Sequence, residues 1–290
     1  MCAAYRWCQY GRSARRTGPL RVGSYRSLGG AVNHFARESH VDEIAHAVGM
    51  DPVELRLRNL TNPRLRRVLG LAADRFGWAG ARPPSDRGVG VAIGVDVGSY
   101  AAMCIQADVQ GSEVKVGRVV TALDCGLTVN PEGARNQVEG SIIMGMGTAL
   151  YEAIEFRGGS IINPGFVRYR VPRITDAPAI EVALAGDADE PSTGAGEPGI
   201  VPVAAAIANA VFDQTGRRVR EPPLRRHLRI AGLRRPSVGP ILLLQWRGLG
   251  KNPDRVSKIM RLNGHYEYCE TRPRWRIPAA HADGLDDRCV

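Results

Sequence analysis

The sequence lacks the closely spaced cysteines of a zinc or iron–sulfur site. None of its six cysteines forms a C-x-x-C pair or another compact ligand pair; they are Cys2, Cys8, Cys104, Cys125, Cys269 and Cys289. Because such sites need clustered Cys or His ligands, the cysteines predict no metal centre. Free thiols are typical of a reducing compartment, so we expect the chain to work in the cytoplasm.

Long hydrophobic runs are also missing. Arginines interrupt the first residues, and the longest apolar run towards the C-terminal end is Ile241-Leu242-Leu243-Leu244. A membrane-spanning helix needs about 20 apolar residues, and a signal peptide needs an unbroken apolar segment. The sequence therefore predicts a soluble chain with neither.

Motifs for nucleotide binding are absent or incomplete. No Gly-Lys-Ser/Thr occurs, which excludes a P-loop. The pattern Gly88-x-Gly90-x-x-x-Gly94 resembles a dinucleotide fingerprint, but its third glycine is misplaced and a strand pattern follows where a helix is required. The histidines that recur at intervals of six fall on different helix faces and predict no metal cluster: His34, His40 and His46.

Positive charge is concentrated at the two ends of the chain. The net charge is +10, yet residues 225–290 hold 14 Lys and Arg against 6 Asp and Glu, and residues 1–22 hold five Arg and no acid. The stretch between them is mildly acidic. Basic surfaces favour nucleic acids or anionic membranes, so neither is an expected partner of the central region.

The central region predicts an α+β domain over residues 21–224. With 44% hydrophobic residues the chain can bury a substantial core. Helical periodicity and capping residues predict helices over 33–48, from Asp51 onwards, and over 64–78, 132–151 and 200–212. Runs of β-branched residues between turns predict strands over 89–95, 101–109 and 114–123, as an antiparallel meander, and over 153–156 and 180–184. Residues 1–20 and 225–290 receive no fold assignment.

The helix predicted over 132–151 is unusually rich in glycine. It contains Gly133, Gly140, Gly145 and Gly147. Each glycine costs about 1 kcal/mol relative to alanine in a helix. We therefore expect a partner backbone or a ligand to approach this helix closely.

A glycine-rich segment, Ser192 to Gly199, carries a single carboxylate, that of Glu197, to the start of an apolar helix. Pro198 suits a first helical position because its missing N–H would have no intrahelical partner, and Gly216 is a typical C-cap. The N-terminal end of a helix favours an ionised carboxylate, which makes Glu197 a candidate general base. The other interpretation is that Glu197 only caps the helix.

Three segments resemble the molybdopterin-binding large subunit of the xanthine dehydrogenase and aldehyde oxidase family of molybdenum hydroxylases. The segments are Tyr25-Arg26-Ser27-Leu28-Gly29-Gly30 with the helix pattern after it, Asp124-Cys125-Gly126 through Asn136-Gln137-Val138-Glu139-Gly140, and Gly194-Ala195-Gly196-Glu197-Pro198. The resemblance extends over residues 19–224. The order and spacing of the segments distinguish it from a chance match.

The resemblance implies a molybdenum–molybdopterin cofactor, either the simple pterin form or the cytosine dinucleotide. Glu197 would be the general base, Gln137 and Gly196 would contact the cofactor, and Arg26 would line the substrate side of the pocket. The family oxidises small molecules such as N-heterocycles and aldehydes with water as the oxygen source. The resemblance also implies a partner subunit with iron–sulfur centres, with or without a flavin subunit.

Large subunits of this family are much longer than this sequence. The chain is therefore expected to represent the C-terminal part of such a subunit and to need the missing N-terminal half. The alternative is an inactive, truncated relic. Its basic tail, with Trp246, Tyr266, Tyr268 and Trp275 between the cationic residues, would then bind nucleic acid or anionic surfaces, or would be a disordered, solvated segment, which is the more common role of such a composition.

Overall fold

The computed structural model describes residues 23–78 and 87–228. The helices are α1 (Gly30–Ala47), α2 (Pro52–Asn59), α3 (Pro63–Phe76), α4 (Pro131–Leu150), α5 (Val203–Thr215) and α6 (Arg225–Leu228). The strands are β1 (Gly88–Asp96), β2 (Ser99–Gln110), β3 (Glu113–Asp124), β4 (Phe156–Arg157), β5 (Ser160–Ile161) and β6 (Ala179–Leu184). Residues 1–20 and 229–290 lie outside the described residues, so the predictions about both ends concern parts of the chain that are not described.

The main sheet has the strand order β1-β2-β3-β6. Strands β1, β2 and β3 form the predicted antiparallel meander. Strand β6 pairs with β3 in parallel, so the sheet is mixed and the expectation of antiparallel strands alone was wrong for this strand. A parallel neighbour requires a crossover connection, and the chain between β3 and β6 supplies it through α4. The strand predicted over 153–156 is displaced, because β4 begins at Phe156 and pairs only with β5.

Helices cover both faces of the main sheet. On one face α4 and α5 pack against alternate strand residues such as Met103 and Leu123. On the other face α3 packs against the intervening residues, including Cys104 and Val120. A sheet that is buried on both sides needs apolar residues at consecutive positions, which explains the near-continuous apolar runs of β1 and β2.

The glycines of β1 serve close packing. A Cβ atom on Gly90 would clash with the carbonyl oxygen of Ala206, and one on Gly88 would clash with that of Ala210. Helix α5 therefore lies directly on the backbone of β1. The structure supplies a packing reason for the glycine pattern that superficially resembled a dinucleotide motif.

A buried ion pair joins α1, α2 and β1. Glu38 and Arg56 are both almost fully buried, and Arg56 Nε donates to Glu38 Oε2 at 3.0 Å. The same carboxylate oxygen accepts a hydrogen bond from Ile93 N at 3.1 Å. Burial by itself raises the pKa of Glu38, but Arg56, Arg37 and these hydrogen bonds hold that pKa below its usual range.

Candidate functional site

Three of the predicted site residues meet around one guanidinium group. Arg26 Nε donates to the carbonyl oxygen of Gly196 at 2.6 Å. Arg26 Nη2 donates to Gln137 Oε1 at 2.9 Å and to the Gln137 carbonyl oxygen at 3.1 Å. The loop before α1, the helix α4 and the glycine-rich loop before α5 are therefore held together at a single point.

An unusual turn presents Arg26 to these acceptors. Ser27 and Leu28 have φ angles of 63° and 49°, in the left-handed region that side chains other than glycine rarely adopt. Leu28 N donates to Tyr25 O at 2.8 Å, and Gly30 N donates to Ser27 O at 2.6 Å. Backbone strain of this kind persists where the surrounding structure enforces it, and here the turn leads directly into α1.

Tyr25 fixes the other side of the same turn. Partial burial, followed by the negative charge of Glu152, raises the pKa of Tyr25 to about 12. Tyr169 Oη also donates to Glu152, at 3.2 Å. A Cβ atom on Gly147 would clash with the Glu152 carboxylate, so one of the helix glycines makes room for this acceptor.

The loop that follows β3 runs beside the glycine-rich loop. Thr193 N donates to Cys125 O, and Leu127 N donates to Glu190 O, both at 2.9 Å. A Cβ atom on Gly126 would clash with a backbone carbonyl of the facing loop. Each loop therefore fixes the path of the other.

Asp124 anchors this pair of loops to α3. Its buried carboxylate accepts from Arg64 Nη2 and from Arg67 Nη2, each at 2.6 Å. Although burial raises the pKa of Asp124, the hydrogen bonds from Arg64, Gly126 and Arg67 lower it below its usual range. A carboxylate with several charge-assisted bonds is a rigid anchor.

Glu197 lies before the apolar helix but not at its start, so the predicted position at the N-cap of that helix was wrong. It is the N-cap of a 3-10 turn over Pro198–Ile200, after which α5 begins at Val203 and ends at the left-handed C-cap Gly216. The Glu197 side chain forms no capping hydrogen bond. The interpretation of Glu197 as a helix cap alone is therefore not supported.

The charge of Glu197 acts on two neighbouring groups. Burial lowers the pKa of Arg26, and the nearby Glu197 opposes this change. Burial and then the negative charge of Glu197 raise the pKa of Asp96 to about 6. Glu197 is thus close enough to both Arg26 and Asp96 for its charge to act on them.

Sequence reasoning missed Asp96. This residue ends β1, and its Oδ2 atom is buried without a hydrogen-bond partner among the described residues. Across the turn, Ser99 Oγ donates to Gly194 O at 2.6 Å and lies 2.7 Å from Thr193 Oγ1. The only signal in the sequence was an acidic residue that ends an apolar strand.

A small cleft opens beside these contacts. Its volume is about 210 Å³, and it lies between the loop after β3, helix α4 and the glycine-rich loop. A Cβ atom on Gly194 or Gly196 would meet no atom within 4 Å, so both glycines face open space. Gln137 lines the cleft with its carboxamide oxygen held by Arg26. The glycines would let a ligand in this cleft approach the backbone closely.

Residues 23–78 and 87–228 contain neither a cluster of metal ligands nor a membrane-spanning helix. No group of three or more His, Cys, Asp or Glu side chains in these ranges could hold a metal ion. No helix within them is long and apolar enough to cross a membrane. Of the cysteines, Cys104 and Cys125 are described, and both are buried free thiols.

Family models match much of the chain. Residues 8–60 and residues 69–178 each match a model described as a molybdopterin cofactor-binding domain. The matched ranges include α1 and α2, most of α3, the antiparallel strands β1 to β3, and helix α4. They confirm the molybdopterin-binding domain type that the three segments of the sequence resemble.

Curated proteins of known activity are similar to the chain. It is 36% identical over 223 residues to one subunit of the nicotinate dehydrogenase from Pseudomonas putida, a match that covers 71% of this chain and 19% of that protein. It is 34% identical over 207 residues to the beta subunit of isoquinoline 1-oxidoreductase from Brevundimonas diminuta, a match that covers 69% of this chain and 26% of that protein. The chain thus spans about a fifth to a quarter of the length of these relatives.

A solved structure confirms the fold class. Aldehyde oxidoreductase from Desulfovibrio gigas superposes with a TM-score of 0.62 at 15% identity, covering 71% of this chain and 41% of that chain. At this identity the likeness concerns the fold alone. It agrees with the α+β architecture predicted from the sequence.

Proposed function

Because the chain belongs to the molybdopterin-binding large subunits of the xanthine dehydrogenase and aldehyde oxidase family, we propose that it supplies the general base and part of the cofactor site of a molybdenum hydroxylase. The observation that carries this proposal is the contact of Arg26 with both Gln137 and Gly196 beside Glu197. The Arg26 guanidinium group contacts both Gln137 and Gly196. The family resemblance implies a role in the site for each of these three residues.

The cleft fits a pterin cofactor. The Gln137 carboxamide is exposed on α4, and the glycine-rich loop offers backbone groups with open space at Gly194 and Gly196. We assign Gln137 and Gly196 to the cofactor, in the form of molybdopterin or its cytosine dinucleotide. When bound, the cofactor accepts the electrons removed from the substrate. Arg26 holds Gln137 and Gly196 in place through its hydrogen bonds. In this proposal Arg26 also borders the substrate side of the pocket.

Glu197 performs the proton transfer. Its carboxylate lies at the start of the 3-10 turn over Pro198–Ile200 and forms no capping hydrogen bond there. It accepts the proton of the water-derived nucleophile as the oxygen attacks an electron-poor carbon. The substrate class is an N-heterocycle or an aldehyde, as the names of the similar proteins suggest.

The proposal includes partners. An iron–sulfur subunit, with or without a flavin subunit, removes the electrons, and the N-terminal half of the large subunit completes the cofactor site. Residues 21–224 form the cofactor-binding domain, to which α6 (Arg225–Leu228) adds the buried Leu228, and a basic segment follows. We place the enzyme in the cytoplasm, since the buried Cys104 and Cys125 are free thiols.

Replacing the base tests its role. Glu197→Gln in the assembled enzyme should retain molybdenum and lose turnover by a factor of about 10² to 10⁴, the usual contribution of a general base. The control is Glu132→Gln, at a side chain that is 84% exposed on α4. A near-normal rate in Glu197→Gln would contradict the assignment.

Removing the carboxamide tests cofactor binding. Gln137→Ala should lower the molybdenum content of the complex, measured by mass spectrometry after expression with the upstream half in a host that makes the cofactor. Unchanged molybdenum content would contradict the role of Gln137. Metal that is absent from the unmodified complex as well would favour the alternative of an inactive relic.

A further inference from the structure

Ser99 binds the glycine-rich loop of the candidate site, and none of the roles above uses it. The residue is fully buried, and its Oγ atom donates to Gly194 O at 2.6 Å. Ser99 Oγ also lies 2.7 Å from Thr193 Oγ1. Because a hydroxyl group has a single proton to donate, Thr193 is the donor in this second contact. The two hydroxyl groups therefore form a short chain of hydrogen bonds that ends on the loop backbone.

The glycines of the loop have no packing of their own to hold them. A Cβ atom on Gly194 or on Gly196 would meet no atom within 4 Å. Glycine also loses more conformational freedom on folding than any other residue. The path of the loop across these two residues therefore depends on hydrogen bonds to its backbone.

Two such bonds hold the carbonyl groups on either side of Ala195. Ser99 Oγ binds Gly194 O, and Arg26 Nε binds Gly196 O at 2.6 Å. The loop is therefore fixed to the β1–β2 turn as well as to the turn before α1. The sequence singled out the arginine but not the serine.

The β1–β2 turn itself is strained. Asp96 pairs in register with Ser99, so Val97 and Gly98 alone connect the two strands. Their φ angles are 49° and 80°, and a β-branched residue such as valine is an outlier in this left-handed region. Val97 is 74% exposed, so it gains little from burial there. Strain of this kind persists where other contacts enforce it, and the bonds of Ser99 to the loop are such contacts.

We propose that Ser99 is a positioning residue of the candidate site: its hydrogen bond to Gly194 O keeps the glycine-rich loop in the path that holds Gly196 at the cleft, directly before Glu197. Ser99 is not among the residues that line the cleft, so it acts through the loop. The inference deepens the proposed function and rests on the roles given there to Gly196 and Glu197.

Hydrogen exchange of the full chain tests the position of the loop without any cofactor. The reporter is the Thr193 amide, which donates to Cys125 O at 2.9 Å and exchanges when the two loops separate. In Ser99→Ala this amide should exchange about tenfold faster. That factor corresponds to about 1.4 kcal/mol, which is the size of a single hydrogen bond.

Thr121→Ala is the matched control. Thr121 is also fully buried, and its Oγ1 atom donates to a backbone carbonyl oxygen, that of Ala102, at 3.0 Å. This bond joins two strands of the sheet, so its loss removes the same kind of contact away from the loop. The exchange rate of the Thr193 amide should be unchanged in this variant. Equal acceleration in Thr121→Ala and Ser99→Ala would overturn the inference.

Two larger residues separate hydrogen bonding from packing. Ser99→Thr keeps the hydroxyl donor and Ser99→Cys keeps only a weak one, while both enlarge the side chain. The Thr193 amide should exchange slowest with Ser or Thr at position 99, faster with Cys and fastest with Ala. An order that follows side-chain volume would overturn the inference. The comparison of Ser, Thr and Cys decides the question even if Ser99→Ala does not fold.

The assembled enzyme supplies the catalytic readout. In Ser99→Ala the turnover per bound molybdenum should fall by a factor of about ten to a hundred, because a displacement of about 1 Å in a catalytic site has effects of this size. Ser99→Thr should restore the turnover, and Thr121→Ala should leave it unchanged.

The outcomes separate this inference from the proposed function. If the Thr193 amide exchanges at the same rate in Ser99→Ala and in the unmodified chain, the inference is overturned whatever the activity. Faster exchange with unchanged turnover of Ser99→Ala would also overturn it. Normal turnover of Glu197→Gln would instead contradict the proposed base, while faster exchange in Ser99→Ala would still support the fixing of the loop by Ser99.

Discussion

Arg26 and Gln137 are 111 residues apart in the chain, and Arg26 Nη2 lies 2.9 Å from Gln137 Oε1 and 3.1 Å from the Gln137 carbonyl oxygen. The same guanidinium group binds Gly196, 170 residues away. A planar cation with several fixed donors can satisfy such acceptors together. The geometry of the candidate site therefore depends strongly on one side chain.

Arg26→Lys should loosen this site although it keeps the positive charge. An ammonium group cannot reproduce the planar fork, so the contact with either Gly196 or Gln137 is lost. We expect a loss of about 1.5 to 3 kcal/mol in the free energy of unfolding, measured in urea, which is the range for hydrogen bonds to charged groups. The control Arg58→Lys, in an exposed pair with Glu54, should change it by less than about 0.5 kcal/mol. Equal losses of stability in Arg26→Lys and Arg58→Lys would contradict the prediction.

Gly145→Ala should destabilise the fold. A Cβ atom on Gly145 would lie 2.8 Å from Val203 Cβ, so α4 and α5 would have to separate. Such overpacking costs about 1 to 3 kcal/mol. The control is Gly70→Ala in α3, where a Cβ atom meets nothing within 4 Å, and there alanine should stabilise by about 0.5 to 1 kcal/mol. Thermal unfolding of both variants should show shifts of opposite sign.

Breaking the buried ion pair should be costly. Arg56→Met removes the closer of the two arginines that pair with the buried Glu38 carboxylate, since Arg37 Nε lies 3.4 Å from Glu38 Oε1, and we expect a loss of about 3 kcal/mol in the free energy of unfolding, the lower end of the range for breaking a buried pair. The double variant Glu38→Met/Arg56→Met should recover part of this loss, because no uncompensated charge remains. Arg58→Met at the protein surface is the control. A single variant as stable as that control would contradict the prediction.

Acid should weaken the packing around His34. Since burial lowers the pKa of His34 to about 4 from its ordinary value near 6.5, the unfolded chain binds the proton more tightly than the folded one. The contribution of His34 to stability is complete above pH 6.5 and is lost as the pH falls towards 4.

The magnitude follows from proton linkage. At pH 5 the loss should be about 2 kcal/mol relative to pH 7.5. In His34→Gln the neutral carboxamide does not titrate, so the difference in stability between this variant and the unmodified chain should shrink by that amount at pH 5. Urea unfolding at both pH values measures it. If the stability difference between His34→Gln and the unmodified chain is the same at both pH values, the lowered pKa of His34 is contradicted.

The sequence predicted most local features because their causes are local. Asp51 accepts hydrogen bonds from Val53 N and Glu54 N at 2.8 and 3.1 Å, as its position before a proline implied. Gly216 closes α5 with a φ of 70°. The excess of glycine in α4 correctly indicated a close approach, and at Gly145 the neighbour is α5.

The sequence by itself also determined the family and the candidate residues, since motif order survives in the linear chain. Only the tertiary structure decided which of those residues meet. The parallel pairing of β6, the burial of Glu38 with Arg56, the contacts of Arg26 and those of Ser99 with the glycine-rich loop all join segments that lie apart in sequence. Local propensity carries no information on such contacts, because their free energy arises from burial and from electrostatic partners that exist only once the sheet and its helices have packed.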